Sequence, residues 1–164
     1  MSSDAPLIDA ELANFLVGGT SINLGSSGAH LRPSVARALG ARVADDRRSV
    51  RLLLSCHQSA ALIEHVRQSG RVAAVFSQPT THRTVQLKGD DARIEPQIDL
   101  DLATVRRYRH DFVRELGAIG YRAEVIYSFL HCPDADIVAL VFTPSSAFVS
   151  TPGPKAGQVL KGGA

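Results

Sequence analysis

The run Ser55-Cys56-His57-Gln58-Ser59 gathers two hydroxyls, a thiol, an imidazole and an amide, directly after the apolar segment VRLLL and before the amphipathic segment AALIEHVRQSG. Where a strand turns into a helix, the first helical N–H groups lack partners, and neighbouring hydroxyls complete a seat for an anion without much formal charge. Ser55, Gln58 and Ser59 are therefore candidate anion ligands, and capping of the helix is the other use of the same serines. Cys56 and His57 adjoin, but neighbours along a strand or turn point apart, so the pair alone makes no activated thiolate.

Two further groups of polar side chains sit on segments of strand character. Ser34 and Arg37 interrupt an otherwise apolar run, and Arg32 lies five residues before Arg37. Strict alternation would place the two arginines on opposite faces unless the strand bends at Pro33, and a guanidinium in either place can meet a phosphate or simply solvent. Thr84, Gln86 and Lys88 share one face of an alternating strand, an arrangement that offers donors and acceptors to the edge of a flat heterocycle and equally suits a solvated sheet face.

Other chemistries lack their signatures. No GxGxxG, GxxxxGK[ST], HExxH or GxSxG occurs, so the common dinucleotide, triphosphate, zinc-protease and hydrolase sites are not indicated. The six histidines show no ligand spacing, and the two cysteines are far apart, so no metal site is expected and both thiols are read as reduced. No side chain is singled out as a catalytic acid, base or nucleophile.

The elements that must position these groups follow from periodicity. DAELANFLVGG predicts a short helix with a glycine stop, part of an N-terminal cap over 1–18. TSINLGSSG and AHLRPSVARALGARV predict two extended runs about a Gly-Ser turn. ADDRRS is a turn, VRLLLS a short strand, and HQSAALIEHVRQSG a helix ending at Gly70. RVAAVFSQP and THRTVQLKGDDARIEP predict the strands of a second hairpin around Ser77–Thr81. LDLATVRRYRHDFVRELGAIGY is a long helix with apolar positions at Leu102, Val105, Tyr108, Phe112, Val113 and Leu116, while Arg106, Arg107 and Arg109 form a solvated face. RAEVIYSFLHCP continues the helical region, ADIVALVFTPSSAFVS supplies two late extended runs, and the tail over 150–164 is too rich in Pro and Gly for a regular element.

Hairpin-linked antiparallel strands with helices among them predict an α+β barrel rather than a doubly wound parallel sheet. A chain of 164 residues fits one domain. Eighteen basic residues are scattered among sixteen acids for a net charge of +2, which disfavours a nucleic acid partner. Apolar runs stop well short of the ~20 residues a membrane helix needs, and the opening MSSDAPLIDAELANF lacks a basic, then apolar, leader, so a cytoplasmic protein without membrane contact is expected.

GAHLRPSVARAL, LLLSCHQSAALIEHV, RVAAVFSQPTTHRTVQLKG and TPGPKAGQ together resemble the pyridoxamine 5′-phosphate oxidase-related, FMN-binding split-barrel family. The resemblance implies a split β-barrel, antiparallel and Greek-key-like with flanking helices, that forms a homodimer holding FMN in grooves shared by both subunits. It implies that Arg32 and Arg37 approach the phosphate or ribityl chain, that Ser55 and Ser59 cradle the phosphate, and that Arg83, Thr84 and Gln86 stand at the strand that contacts the flavin. Thr84 replaces a glutamine of the family pattern, Ala60–Ala61 replace its basic pair, and the absence of Trp argues against vitamin B6 oxidation. The implied activity is that of an FMN-dependent oxidoreductase with an unidentified small-molecule substrate; a non-enzymatic flavin- or haem-binding, stress-related module is the alternative, with His30 or His82 as haem ligand.

Overall fold

In the computed structural model, which describes residues 6–161, helix α1 (Ala10–Leu16) begins where the Asp9 carboxylate accepts the Leu12 N–H at 2.7 Å. That bond satisfies one of the orphan donors of the first turn. The outermost positions of the expected N-terminal cap and C-terminal tail lie outside the described residues.

The strands form two antiparallel sheets. The first, in the order β2-β1-β5-β6-β9, joins β1 (Ser21–Ser27), β2 (Pro33–Arg37), β5 (Val72–Ser77), β6 (Thr84–Gly89) and β9 (Ser146–Val149). The second, in the order β3-β4-β8-β7, joins β3 (Ala41–Val43), β4 (Val50–Ser55), β7 (Arg93–Glu95) and β8 (Ile137–Phe142). Alternation puts Ile22, Leu24, Ala74, Phe76, Val85, Leu87 and Ala147 of the first sheet into the core, leaving Ser21, Asn23, Val75, Ser77, Thr84, Gln86 and Arg37 on its other face. Leu52, Leu53 and Leu54 are all fully buried, so β4 is covered on both faces, and its unbroken apolar run is the pattern such a strand requires. One edge of the first sheet is β2; at the other, Val159 of the tail bridges Phe148 of β9.

Two segments that read as continuous strands are divided. AHLRPSVARALGARV contains a 3-10 turn at Ala29–Leu31, then β2, then β3 in the other sheet. The crossing falls between adjacent residues: the Ala38 N–H donates to Ile22 of β1 and the Leu39 N–H to Leu53 of β4. THRTVQLKGDDARIEP likewise splits into β6 and β7, one in each sheet. A Cβ at Gly89 would stand 2.6 Å from the Phe142 ring, so the chain passes this packed point only without a side chain.

Helix α2 (Ala60–Ser69) ends at Gly70, whose φ of 65° is left-handed, a geometry glycine adopts at little cost. Helix α3 (Asp99–Gly117) is followed by the short α4 (Ala123–Phe129). The start of α3 is locked to the second sheet by Asp101, which is fully buried. Its carboxylate accepts Arg51 Nε at 3.0 Å, Arg51 Nη2 at 2.8 Å and the Ile98 N–H at 3.0 Å, with Arg42 Nη2 at 3.6 Å. Arg51 also reaches Glu95 and, at 2.9 Å, the Pro96 carbonyl.

Burial alone would push the Asp101 carboxyl up, but the Arg51 and Ile98 hydrogen bonds and the charges of Arg51 and Arg42 outweigh it and hold the group below its ordinary value. Asp101→Ala should therefore destabilise the fold by about 3–5 kcal/mol at neutral pH, because it removes the fully buried carboxylate on which Arg51, Arg42 and the Ile98 N–H converge and leaves Arg51 only Glu95 as a charged partner. A carboxyl lowered in the folded state contributes stability above its unfolded value, and this is lost as pH falls below about 4. Chemical denaturation at pH 7 and pH 3 should show the wild-type advantage shrinking between the two.

Candidate functional site

Register places three hydroxyls in a row at one end of the first sheet: Ser21 opposes Ser77, and Ser77 opposes Thr84. Ser77 Oγ lies 2.7 Å from Thr84 Oγ1, which donates to the His82 carbonyl at 3.0 Å. Ser77 is thereby left as the donor to Thr84. Over this row, α3, α4 and the turn between them form a roof of Phe112, Leu116, Tyr121, Val125, Ile126 and Phe129 above a half-open cavity of about 550 Å³. Gln78, Pro79, His82 and Pro152 complete its rim.

Arg37 enters the cavity from β2. Its guanidinium carbon stands 5.0 Å from the Phe129 ring centroid and 5.8 Å from that of Phe112. The Nη1 atom is buried and has no hydrogen-bond partner among the described residues. It lies on the protein side of the guanidinium, whose positive charge acts on the Tyr108 phenol, while the rest of the group lines the cavity.

The roof is fixed from below and from the side. Tyr108, stacked on Phe112 with centroids 5.6 Å apart, donates its hydroxyl to the Thr20 carbonyl at 2.9 Å. Burial pushes the Tyr108 phenol up to about 12, against the opposing influence of nearby Arg37, so it stays a donor at any ordinary pH. Gly19 allows the approach of this segment to α3, since a Cβ there would lie 2.6 Å from the Asp111 carbonyl oxygen. Glu115 accepts from Gln78 at 3.2 Å and from Thr80 at 2.7 Å, tying the β5–β6 loop to α3. Thr151 Oγ1 accepts the Thr84 N–H at 2.8 Å and donates to the Thr84 carbonyl at 3.2 Å, which brings the tail and Pro152 to the rim.

The residues singled out in the sequence fall in separate places. Arg37 and Thr84 meet in the cavity, and Gln86 follows on the same sheet face. Arg83 leaves this site: its guanidinium lies 4.5 Å over Phe15 and 3.0 Å from Glu11. Ser34 stands at the other end of β2 and Arg32 just before it, roughly 10 Å and 16 Å from Arg37 at a strand's rise per residue. There Ser34 Oγ bonds His65 Nδ1 at 2.8 Å, and Arg32 lies beside His30, His65 and Gln68.

Ser55, Gln58 and Ser59 form a third place at the start of α2. Ser55 and Ser59 are buried, and Ser59 makes no side-chain cap. The Gln58 N–H donates to Ser55 Oγ at 3.1 Å, while Ser55 donates its own hydroxyl to the Asp136 carboxylate. The backbone N–H of His57 meets the other Asp136 oxygen at 3.0 Å. Because the backbone and not the imidazole makes this bond, Ser55, His57 and Asp136 are no proton relay. Both cysteines are free.

The roof residues and Asp136 are absent from the sequence-derived site. Tyr121, Val125 and Phe129 repeat at i, i+4 and i+8, which reads as ordinary amphipathic packing. Asp136 lies 81 residues from Ser55, beyond any local signal.

No family model and no curated protein matches the chain. Solved structures do. An F420 reductase is 16% identical over 82% of this chain and 93% of its own, with a TM-score of 0.54. HupZ of Group A Streptococcus is 13% identical over 92% and 99%, with a TM-score of 0.55. A candidate pyridoxamine 5′-phosphate oxidase from Lactobacillus delbrueckii is 13% identical over 91% and 98%, with a TM-score of 0.54. The fold is that of the pyridoxamine 5′-phosphate oxidase-related proteins. At these identities the likeness is one of fold, and function must be argued from the site. Within a pyridoxamine 5′-phosphate oxidase-related fold, this cavity depends on how firmly α3 is seated.

Tyr108→Phe should cost about 1–3 kcal/mol, the range for leaving a buried acceptor unpaired. Thermal or chemical unfolding checks this, and an unchanged midpoint would show that the Thr20 contact does not seat α3.

Proposed function

We propose that this chain is a flavin-binding oxidoreductase whose cavity beneath α3 and α4 receives the flat tricyclic ring, with two split-barrel copies pairing to complete the groove. One observation carries the reading: Arg37, its guanidinium set between the Phe129 and Phe112 rings, lines an apolar cavity floored by a row of hydroxyls. A volume of about 550 Å³ lies within the ~300–1,000 Å³ of small-molecule sites.

FMN makes two demands on these residues, one for its ring and one for its phosphate. The cavity fits the ring: Phe112, Phe129 and Leu116 cover apolar faces, and Ser21, Ser77 and Thr84 offer polar edges. The start of α2 does not fit the phosphate, since Ser55 and the His57 N–H are already committed to Asp136 and Ala60–Ala61 supply no charge. When bound, a flavin supplies hydride exchange with a substrate; the protein supplies position and electrostatics. Arg37 would supply positive charge beside such a ring, Thr84 and Ser77 polar oxygens, and Phe112 and Leu116 apolar cover.

Pairing is supported by apolar groups on the solvent side of the first sheet. Val35 on β2 is 82% exposed, Leu31 just before it 77%, and Val75 and Phe148 lie half-buried on the same sheet. These apolar groups, set among Asn23, Gly25 and Gln86 of the same face, suit contact with a second copy.

Titrating riboflavin and FMN against the purified protein should quench their fluorescence, and Arg37→Ala should weaken binding by about 1.5–3 kcal/mol, the range for a hydrogen bond to a charged group. Absence of quenching would overturn the flavin reading, and a haem Soret band would favour the haem alternative in its place. The mass in solution should be twice 17.5 kDa; a monomer at micromolar concentration would remove the shared groove.

A further inference from the structure

The start of α2 is built as an anion seat, and the protein fills it with its own carboxylate. Asp136 ends the 3-10 turn Asp134–Asp136 and is held there by four donors from two sides. Ser55 Oγ and Cys132 Sγ approach one carboxylate oxygen, the latter at 3.6 Å, and the His57 N–H reaches the other at 3.0 Å. The Cys56 N–H donates to the Asp136 carbonyl at 2.8 Å. The Ser55 hydrogen bond leads the influences that hold the Asp136 carboxyl below its ordinary value, ahead of an opposing burial effect.

A phosphate placed in this seat would have to displace a carboxylate carrying the same charge and the same acceptor role. The helix opens with Ala60 and Ala61 and supplies no cation in return; Arg109, whose charge reaches Cys132, is bonded to the Cys132 carbonyl. Like charges at such separation repel, and hydrogen bonds to charged groups are too strong to surrender without replacement. We infer that Asp136 stands in for the cofactor phosphate, so that this chain recognises a flavin by its ring and does not select the phosphorylated form. For the flavins this rests on the reading proposed above; for the seat itself it does not.

The test compares wild type with Asp136→Ser and Asp136→Asn, using inorganic phosphate, riboflavin and FMN as probes. Wild type should bind riboflavin and FMN with equal affinity, within about threefold, and millimolar phosphate should not raise its Tm above a chloride control of equal ionic strength. Asp136→Ser should gain a phosphate-dependent rise in Tm, and its affinity for FMN should exceed that for riboflavin by about tenfold, the scale of one charge-assisted hydrogen bond.

Asp136→Asn removes the charge while keeping the shape. If the serine variant does not fold, the asparagine variant carries the comparison, with a gain of the same sign. Wild-type FMN binding tenfold or more tighter than riboflavin would overturn the inference, and so would a phosphate response that the substitutions leave unchanged. If wild type binds neither flavin, the function proposed above falls, and the phosphate response of the variants alone decides whether Asp136 occupies an anion seat.

Discussion

The buried Asp101 carboxylate sets where α3 begins, and most of what surrounds the cavity follows from that placement. Two arginines from the second sheet and one backbone N–H converge on it, so the first turn of α3 has a single position in which its charge is matched. Two turns later Tyr108 closes on the Thr20 carbonyl, and near the end of the helix Glu115 takes two donors from the β5–β6 loop. Phe112 lies between these fixed points and Leu116 directly after the last of them, which is why the cavity has a firm wall on this side. The α4 side of the roof is held less fully: Ile126 and Leu130 are buried, but Tyr121, Val125 and Phe129 are exposed.

Much of the fold was legible because local patterns and tertiary placement agree. Asp9 before an apolar period, Gly70 after one, the unbroken apolar β4 and the 3.6 period of α3 each point to the element that forms. The exceptions occur where the chain changes sheet. Nothing in ALG distinguishes Ala38, bonded to β1, from Leu39, bonded to β4, because the partner is chosen by packing and not by the residue. KGDD similarly hides the passage from β6 to β7, which depends on the Phe142 ring beside Gly89. Arg109 is another case: it belongs to a run that reads as a solvated face, yet its Nη2 donates to the Cys132 carbonyl while Arg106 and Arg107 stay exposed.

The site was legible as donors and illegible as pairs. Ser55, Gln58 and the N–H groups around them could be named from their types and spacing, but their acceptor comes from a distant turn before β8. Arg37 and Thr84 could be named too, while the apolar lid that gives their meeting its character could not be told from core. A fold can thus be shared at 13–16% identity without fixing what its sites do.

The two margins of the first sheet are blunted in different ways. Along β9, Val159 of the chain's own tail occupies the ladder; along β2, Pro33 removes a donor and Arg37 leaves a cation at the far end. Neither border offers a clean run of free amides to a foreign strand. Growth by lateral addition, the route to fibres, is therefore disfavoured at both sides.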